Sequence, residues 1–209
     1  MRKKAIIFDL DNTIFPVPQI GYTLFAPLFA LIEQAGYHGN EMDQIKDEVM
    51  RMPFQRVAQE HNFSETLTNK SIELLQELAY NGDMESYEDY AHIQRLPHDK
   101  YIVTTGFRKM QQSKVDRLGL ANDFKEIHII DPTTTKQTKK DVFAEIMHRH
   151  GYKPEDVMIV GDDLHSEIKA AQELGVYALW YDKEERYKPV PGVKKIKDYG
   201  ELLKVLGSL

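Results

Sequence analysis

The sequence predicts an α/β protein with a doubly wound parallel sheet, helices on both faces, and an all-helical cap inserted after the first strand. Three observations lead to this prediction. Short apolar runs recur along the chain, and helical stretches lie between the later runs and end at glycines. More than ninety residues without a convincing strand separate the first two runs. Strands that alternate with helices of about ten residues are typical of βαβ units in a parallel sheet.

Five apolar runs are the candidate strands. Each run is nearly continuous rather than alternating, as expected for a strand that is buried on both faces of a parallel sheet. The runs are residues 5–8, 101–103, 127–130, 157–160 and 176–180.

Three helical patterns follow these strands and each ends directly before a glycine, namely residues 109–118, 141–150 and 167–174. A glycine beyond the last helical turn is a common terminator, because it accepts a left-handed backbone. A last helix is predicted over residues 198–206.

Helical patterns also fill the long segment after the first strand. Asn40 and Ser64 are the predicted N-caps of two amphipathic helices. Apolar residues follow these caps at helical spacing: Met42, Ile45 and Val49 after the first, and Leu67, Leu74, Leu75 and Leu78 after the second. A structureless loop of this length would be implausible. We therefore expect a cap over residues 16–83 and a core formed by residues 1–15 and 84–209, in which residues 86–96 would be the first helix.

Composition and charge restrict the possible functions. The chain has 209 residues, of which 42% are hydrophobic and 29% charged, as in ordinary globular proteins. A net charge of -6 argues against a general nucleic-acid binder. The absence of cysteine excludes disulfides, thiolate zinc ligands and a cysteine nucleophile.

Apolar runs are too short for membrane insertion. The run that follows the basic start ends at Asp9, too early for the core of a signal peptide. The longest other apolar run, residues 24–32, is far below the roughly 20 residues of a membrane span. We expect a cytoplasmic protein with neither a membrane nor a nucleic-acid partner.

Acids and hydroxyls follow the first two predicted strands. Asp9 and Asp11 come directly after the first strand, and Thr104, Thr105 and Gly106 end the second. In open α/β sheets, ligand sites form at the carboxyl ends of strands. Paired carboxylates there can bind Mg²⁺, or one can attack as a nucleophile while the other handles protons. A hydroxyl followed by glycine can bind an anion, although each pattern alone is also typical of a turn.

Lysines and further acids complete the series. Lys136, Lys139 and Lys140 precede the predicted helix over residues 141–150. Positive charge is mildly unfavourable at a helix start and so suggests a nearby anion. Gly161, Asp162 and Asp163 follow the fourth strand, and Glu167 opens the next helix. Each segment taken separately is also typical of a turn or a helix cap. Reactive side chains at four strand ends in one chain are much harder to attribute to turns and caps alone.

In order, these segments resemble the four motifs of the haloacid dehalogenase (HAD) hydrolase superfamily, which joins a Rossmann-like core to an inserted cap. The first is Asp9-Leu10-Asp11-Asn12-Thr13, and the others are Thr104, Lys136 and Gly161-Asp162-Asp163. The resemblance covers nearly the whole chain. Residues 8–16 also resemble, more weakly, the start of the pyrimidine 5′-nucleotidase and phosphoglycolate phosphatase-like branches.

This resemblance implies a Mg²⁺-dependent phosphatase acting on a small phosphorylated metabolite, such as a nucleotide or a sugar phosphate. Asp9 would attack phosphorus and form an aspartyl-phosphate. Asp11 would protonate the leaving oxygen and then deprotonate the water that hydrolyses the intermediate. Thr104, Thr105 and Gly106 would bind the phosphoryl oxygens.

The resemblance also implies a metal site and a lysine. Mg²⁺ would be held by the Asp9 carboxylate, the Asp11 carbonyl oxygen and Asp162, with Asp163 or Glu167 as an outer-shell partner. Lys136 would offset the charge of nucleophile and phosphate.

The identity of this lysine is left open between two residues. The helix after the family lysine usually carries an aromatic residue six positions on, whereas Phe143 is seven residues from Lys136 and four from Lys139. We prefer Lys136 because it lies in the loop before the helix, and Lys139 is the alternative.

Several other activities share these motifs. A 2-haloacid dehalogenase releases halide and needs no proton donor for its leaving group, so Asp11 argues against it. A phosphonatase would need a cap lysine, for which Lys46 and Lys70 are candidates. A phosphomutase uses the same motifs, and Asp9 and Asp11 argue against a non-catalytic ligand-binding member. Arg51 is a cap candidate for contacting the polar end of a substrate, and so is Arg56.

Overall fold

The computed structural model describes residues 3–208 and contains a six-stranded, wholly parallel sheet in the order β3-β2-β1-β4-β5-β6. This is the strand order of a doubly wound fold, so the predicted fold class is confirmed. The strands are β1 (Ala5–Phe8), β2 (Asp99–Thr105), β3 (Glu126–Ile130), β4 (Val157–Gly161), β5 (Tyr177–Tyr181) and β6 (Lys194–Ile196).

The register of the central strands brings their carboxyl ends to one level. Phe8, the last residue of β1, pairs with Ile102 on one side and with Val160 on the other. Every residue of β1 is buried, and alternate residues face two different apolar clusters. The chain therefore leaves β1, β2 and β4 at one edge of the sheet, where the residues after each strand become neighbours.

Helices of the core lie between and after the strands: α6 (Ala91–Gln94), α7 (Arg108–Arg117), α8 (Lys139–His150), α9 (Lys169–Glu173) and α10 (Tyr199–Ser208). A π-helical turn (Leu164–Ile168) runs directly into α9. Gly119, Gly151 and Gly175 have φ values of 65° to 67°, which confirms that these glycines terminate the preceding helices. No helix among the described residues is both long and apolar enough to cross a bilayer.

The segment between β1 and β2 forms five further helices: α1 (Pro18–Leu24), α2 (Ala26–Gln34), α3 (Gly39–Val49), α4 (Phe54–Glu60) and α5 (Glu65–Glu77). Ser64 caps α5 as predicted, because its hydroxyl accepts a hydrogen bond from Leu67 N at 3.2 Å. The N-cap of α3 is His38 rather than Asn40. Apolar residues of this helical segment share one buried cluster with a face of the sheet, so the cap packs directly on the core.

One expectation about the core is wrong, and one strand is missing from the prediction. Residues 86–96 do not form a long helix, since only Ala91–Gln94 is α-helical and Tyr87 N donates instead to Ile14 O at 3.0 Å. Strand β6 was not predicted, because it is three residues long and only Ile196 within it is buried. A short edge strand of this kind carries no apolar run that a pattern could reveal.

Candidate active site

The predicted site residues gather in one cavity of about 130 Å³ at the carboxyl edge of the sheet, beneath the cap. The predicted residues that line it are Asp9, Asp11, Thr104, Thr105, Gly106, Asp162, Asp163 and Glu167. Lys139 lines the same cavity, whereas Lys136 does not.

The buried centre of the site is an ion cluster around Lys139. Its Nζ lies 2.5 Å from Asp9 Oδ1 and also contacts Glu167 Oε1. None of the three side chains is more than 7% exposed. The cluster ties the carboxylate at the end of β1 to the π-helical turn after β4.

The structure does not bring Lys136, the preferred lysine, into the cavity; the alternative, Lys139, contacts Asp9 instead. Helix α8 begins at Lys139 because Thr138 caps it: Thr138 Oγ1 accepts from Asp141 N, and Asp141 Oδ2 accepts from Thr138 N. Lys139 is thus the first helical residue and its side chain enters the cavity, while Lys136 stays exposed in the loop. The prediction started this helix two residues too late, which left both lysines in the loop.

A tight turn after β1 places Asp11. Asn12 adopts a left-handed conformation with φ of 55°, which asparagine tolerates better than most residues. Its side chain accepts from Val17 N at 3.2 Å and donates to Met50 O at 3.0 Å. Asn12 therefore connects the turn to the first segment of the cap and to the end of α3.

Two residues that the sequence analysis missed contact Asp11. Lys114 Nζ lies 2.8 Å from Oδ1 and 2.9 Å from Oδ2, and Gln111 Nε2 lies 3.0 Å from Oδ2. The buried face of α7 contains both residues together with Met110 and Val115. A glutamine and a lysine in an otherwise apolar helical stripe are the signal that could have revealed them.

The end of β2 presents its hydroxyl and glycine to the cavity as predicted. Thr104 is buried, and its Oγ1 accepts a hydrogen bond from Gln111 Nε2 at 2.6 Å. Gly106 N continues the sheet by donating to Ile130 O at 3.0 Å. Helix α7 therefore holds the Thr104 side chain through Gln111, and β3 holds the backbone at Gly106 through Ile130.

The fourth segment brings three acids to the same cavity. Trp180 Nε1 donates to Asp162 O at 2.9 Å and fixes the backbone there, while Asp163 N donates to Glu167 Oε2 at 3.1 Å. A Cβ atom added at Gly161 would lie 2.6 Å from Glu167 Cγ. Glycine at the end of β4 therefore allows the Glu167 side chain to pass close to the backbone and reach Lys139.

Burial and mutual repulsion perturb the ionisation of this cluster. Burial raises the pKa of Asp9 to about 7; Lys139 opposes this shift, and Glu167 adds to it. Desolvation, with repulsion from Asp9 and Glu167, raises the pKa of the Asp162 carboxyl well above its usual range. Burial alone would lower the pKa of Lys139, but the carboxylates of Asp9 and Glu167 raise it instead. Strongly perturbed groups of this kind are typical of functional sites.

The charges of the cavity fit a bound divalent cation. Among its described lining residues, five carboxylates face three cationic side chains, those of Arg51, Lys114 and Lys139. Residues 3–208 contain no group of three His, Cys, Asp or Glu side chains arranged to hold a metal. The expected ligand set has only two carboxylates, those of Asp9 and Asp162, and the carbonyl oxygen of Asp11. Mg²⁺ commonly binds to so few protein ligands and completes its coordination with water.

The cap closes the cavity with a mainly apolar wall that includes Phe25, Val49, Met50, Phe54 and Leu75. Arg51 also lines the cavity, with Nε 3.1 Å from Asp47 Oδ1 and Nη2 3.6 Å from Glu184 Oε2. Arg56 does not line it and pairs with Glu60 on the surface instead. Neither Lys46 nor Lys70 lines the cavity.

Residues 6–181 match the haloacid dehalogenase-like hydrolase family, so the chain belongs to this family and the predicted resemblance is confirmed. The glyceraldehyde 3-phosphate phosphatase of Methanopyrus kandleri is 25% identical over 194 residues, which cover 83% of this chain and 81% of the relative. The pyrimidine 5′-nucleotidase YjjG of Escherichia coli is 27% identical over 89 residues, 42% of this chain and 40% of that protein. The similarity to pyrimidine 5′-nucleotidases is thereby confirmed.

A solved structure shows the same fold. The HAD hydrolase YfnB from Bacillus subtilis, bound to magnesium, superposes with a TM-score of 0.68 at 23% identity, and 99% of each chain is covered. This likeness supports the doubly wound fold described above.

Proposed function

We propose that the protein is a Mg²⁺-dependent phosphatase that hydrolyses a small phosphorylated metabolite through an aspartyl-phosphate on Asp9. The observation that carries this proposal is the buried Lys139–Asp9 contact at a strand end, with Asp11 in the same cavity. A buried ammonium beside a carboxylate suits a site in which that carboxylate meets an anionic phosphoryl group.

Asp9 is the proposed nucleophile. Lys139 is hydrogen bonded to Oδ1, so we assign the attack to Oδ2. A bond forms between Oδ2 and phosphorus while the bond from phosphorus to the leaving oxygen breaks. Lys139 offsets the negative charge that Asp9 and the phosphoryl oxygens bring together, and Thr104, Thr105 and the backbone at Gly106 line the space for those oxygens.

Asp11 is the proposed acid and base. In the first step the protonated form of Asp11 gives its proton to the leaving oxygen and becomes a carboxylate. In the second step this carboxylate takes a proton from the water that attacks the aspartyl-phosphate. These two transfers restore Asp11 to its starting state and release alcohol and phosphate. Lys136 has no part in this scheme because it lies outside the cavity.

Asp9, the carbonyl oxygen of Asp11, and Asp162 are the proposed Mg²⁺ ligands, with Asp163 and Glu167 around them. When bound, the cation would neutralise charge on the phosphoryl group and orient it for in-line displacement. Two observations support a Mg²⁺ site: carboxylates outnumber cationic side chains in the cavity, and the structure of the family member YfnB contains bound magnesium.

The substrate class is proposed from the size of the cavity and from the relatives. The small cavity, walled by apolar side chains such as Phe25, Phe54 and Leu75, suits a small phosphate ester. The similar proteins named above are a glyceraldehyde 3-phosphate phosphatase and a pyrimidine 5′-nucleotidase. A sugar phosphate or a nucleotide is therefore the class of substrate that we propose.

Phosphate release from p-nitrophenyl phosphate, measured with Mg²⁺ and with EDTA, tests this proposal. We expect turnover that requires Mg²⁺ and is abolished in Asp9→Asn, in which a near-isosteric amide replaces the nucleophile. The matched control is Asp116→Asn, which makes the same change at an exposed aspartate outside the cavity and should keep the wild-type turnover. Substantial turnover by a folded Asp9→Asn variant would refute the assignment of the nucleophile.

A further inference from the structure

The scheme above leaves two side chains of α7 without a role, although both contact the carboxylate of Asp11. Lys114 donates to both oxygens at 2.8 and 2.9 Å, and Gln111 donates to Oδ2 at 3.0 Å. The same amide nitrogen of Gln111 lies 2.6 Å from Thr104 Oγ1. Three contacts thus fix the two oxygens of Asp11 and connect them to the threonine of the phosphate site.

Lys114 is almost fully enclosed, with a side chain that is 2% exposed. Its Nζ lies 5.5 Å from the centroid of the Phe15 ring, a favourable position for a cation. Enclosing an ammonium is still unfavourable, and replacing a buried ion pair by apolar residues is often neutral or stabilising. An apolar side chain would therefore suit this stripe of α7 at least as well if packing were the only requirement.

We propose that Lys114 and Gln111 are positioning residues that hold the Asp11 carboxylate toward the leaving oxygen of the substrate, an inference that rests on the proposed phosphatase function. The Asp11 side chain is 27% exposed, and it lines the reaction cavity. Without these donors, the carboxylate is free to rotate about its two side-chain bonds. Displacement of a reacting group by about 1 Å can cost roughly a factor of 10² in rate.

This role predicts a dependence on the leaving group that simple structural damage does not produce. Phenolate is a basic leaving group and needs the proton of Asp11, whereas p-nitrophenolate leaves with little help. Phenyl phosphate and p-nitrophenyl phosphate differ little in size, so they make similar contacts with the cap wall. Their kcat/KM values report phosphoryl transfer to Asp9 and loss of the phenol, which is the step that Asp11 assists.

The test compares kcat/KM for these two substrates in Lys114→Met, Gln111→Leu and Asp11→Asn, with thermal unfolding as the check of folding. Lys114→Met removes the charge and keeps the length of the side chain. We expect kcat/KM of Lys114→Met to fall by about 10²-fold for phenyl phosphate. For p-nitrophenyl phosphate, we expect kcat/KM to fall by less than about 10-fold. Gln111→Leu should show the same pattern with a smaller loss, and Asp11→Asn should show it in full.

Lys109→Met is the matched control, because it removes a lysine of the same helix that is exposed and pairs with Glu77 at 2.8 Å. Both substrates should keep their wild-type kcat/KM in this variant. Equal losses of kcat/KM for both substrates in Lys114→Met, or no loss for either, would overturn the inference. The proposed function would still stand in that case if Asp11→Asn shows the dependence on the leaving group. If Lys114→Met does not fold, the same ratio in Gln111→Leu decides. A wild type that releases no phosphate from either substrate overturns the proposed function and this inference together.

Discussion

Replacing Lys139 by methionine should damage both activity and stability, while the same change at Lys136 should do neither. Lys139→Met keeps the length of the side chain but leaves Asp9 and Glu167 buried without their shared cation. Breaking a buried pair by removing one partner costs about 3–5 kcal/mol. For a chain of this length, about 1 kcal/mol shifts the unfolding temperature by roughly 2–4 °C, so we expect a fall of roughly 6–20 °C.

The activity of Lys139→Met should fall by about 10²–10³-fold in kcat, which is the usual cost of removing one preorganised group that stabilises charge in the transition state. Lys136 is exposed and outside the cavity. Its replacement should change stability by no more than about 0.5 kcal/mol and leave kcat close to the wild-type value.

The assay is Mg²⁺-dependent hydrolysis of p-nitrophenyl phosphate at pH 8, with thermal unfolding of each variant in the same buffer. A Lys136→Met variant with severely reduced kcat, beside a Lys139→Met variant that is nearly normal, would refute the assignment drawn from the Lys139–Asp9 contact.

Two other predictions concern the carboxylates of the site. In the wild type without metal, the contribution of Asp9 to the free energy of unfolding should fall as the pH rises from about 4 to 7. The pKa of Asp9 is about 7 in the folded protein and 3.8 in the usual case. Between these values the folded state binds the extra proton, so a rise in pH destabilises it. The effect is at most about 4 kcal/mol and is measured as the stability difference between wild type and Asp9→Asn at each pH; a difference that is constant across this range would contradict it. Millimolar Mg²⁺ should raise the unfolding temperature of the wild type, because a hundredfold excess over Kd adds about 2.7 kcal/mol to the free energy of unfolding. The same Mg²⁺ concentration should raise the unfolding temperature of Asp162→Ala much less. Identical shifts for the two proteins at matched ionic strength would show that Asp162 is not a metal ligand.

Local patterns were sufficient for most of the fold. The core of each long strand could be predicted because a strand buried on both faces must consist of consecutive apolar residues, as in Ala5–Phe8. The ends of α7, α8 and the helix before Gly175 could be predicted because glycine adopts the left-handed backbone at low cost. Asp9, Asp11 and Asp162 could be proposed as one site because parallel strands end at one edge of the sheet.

Only the tertiary structure decided which lysine enters the site and what holds Asp11. Lys139 meets Asp9 across 130 residues of sequence, and Lys114 meets Asp11 across 103. Whether a lysine near a helix start turns inward depends on the residue at which the helix begins and on how it docks against the sheet, and a shift of one residue rotates the side chain by about 100°. Local sequence does not contain that orientation, because packing against distant strands and the cap determines it.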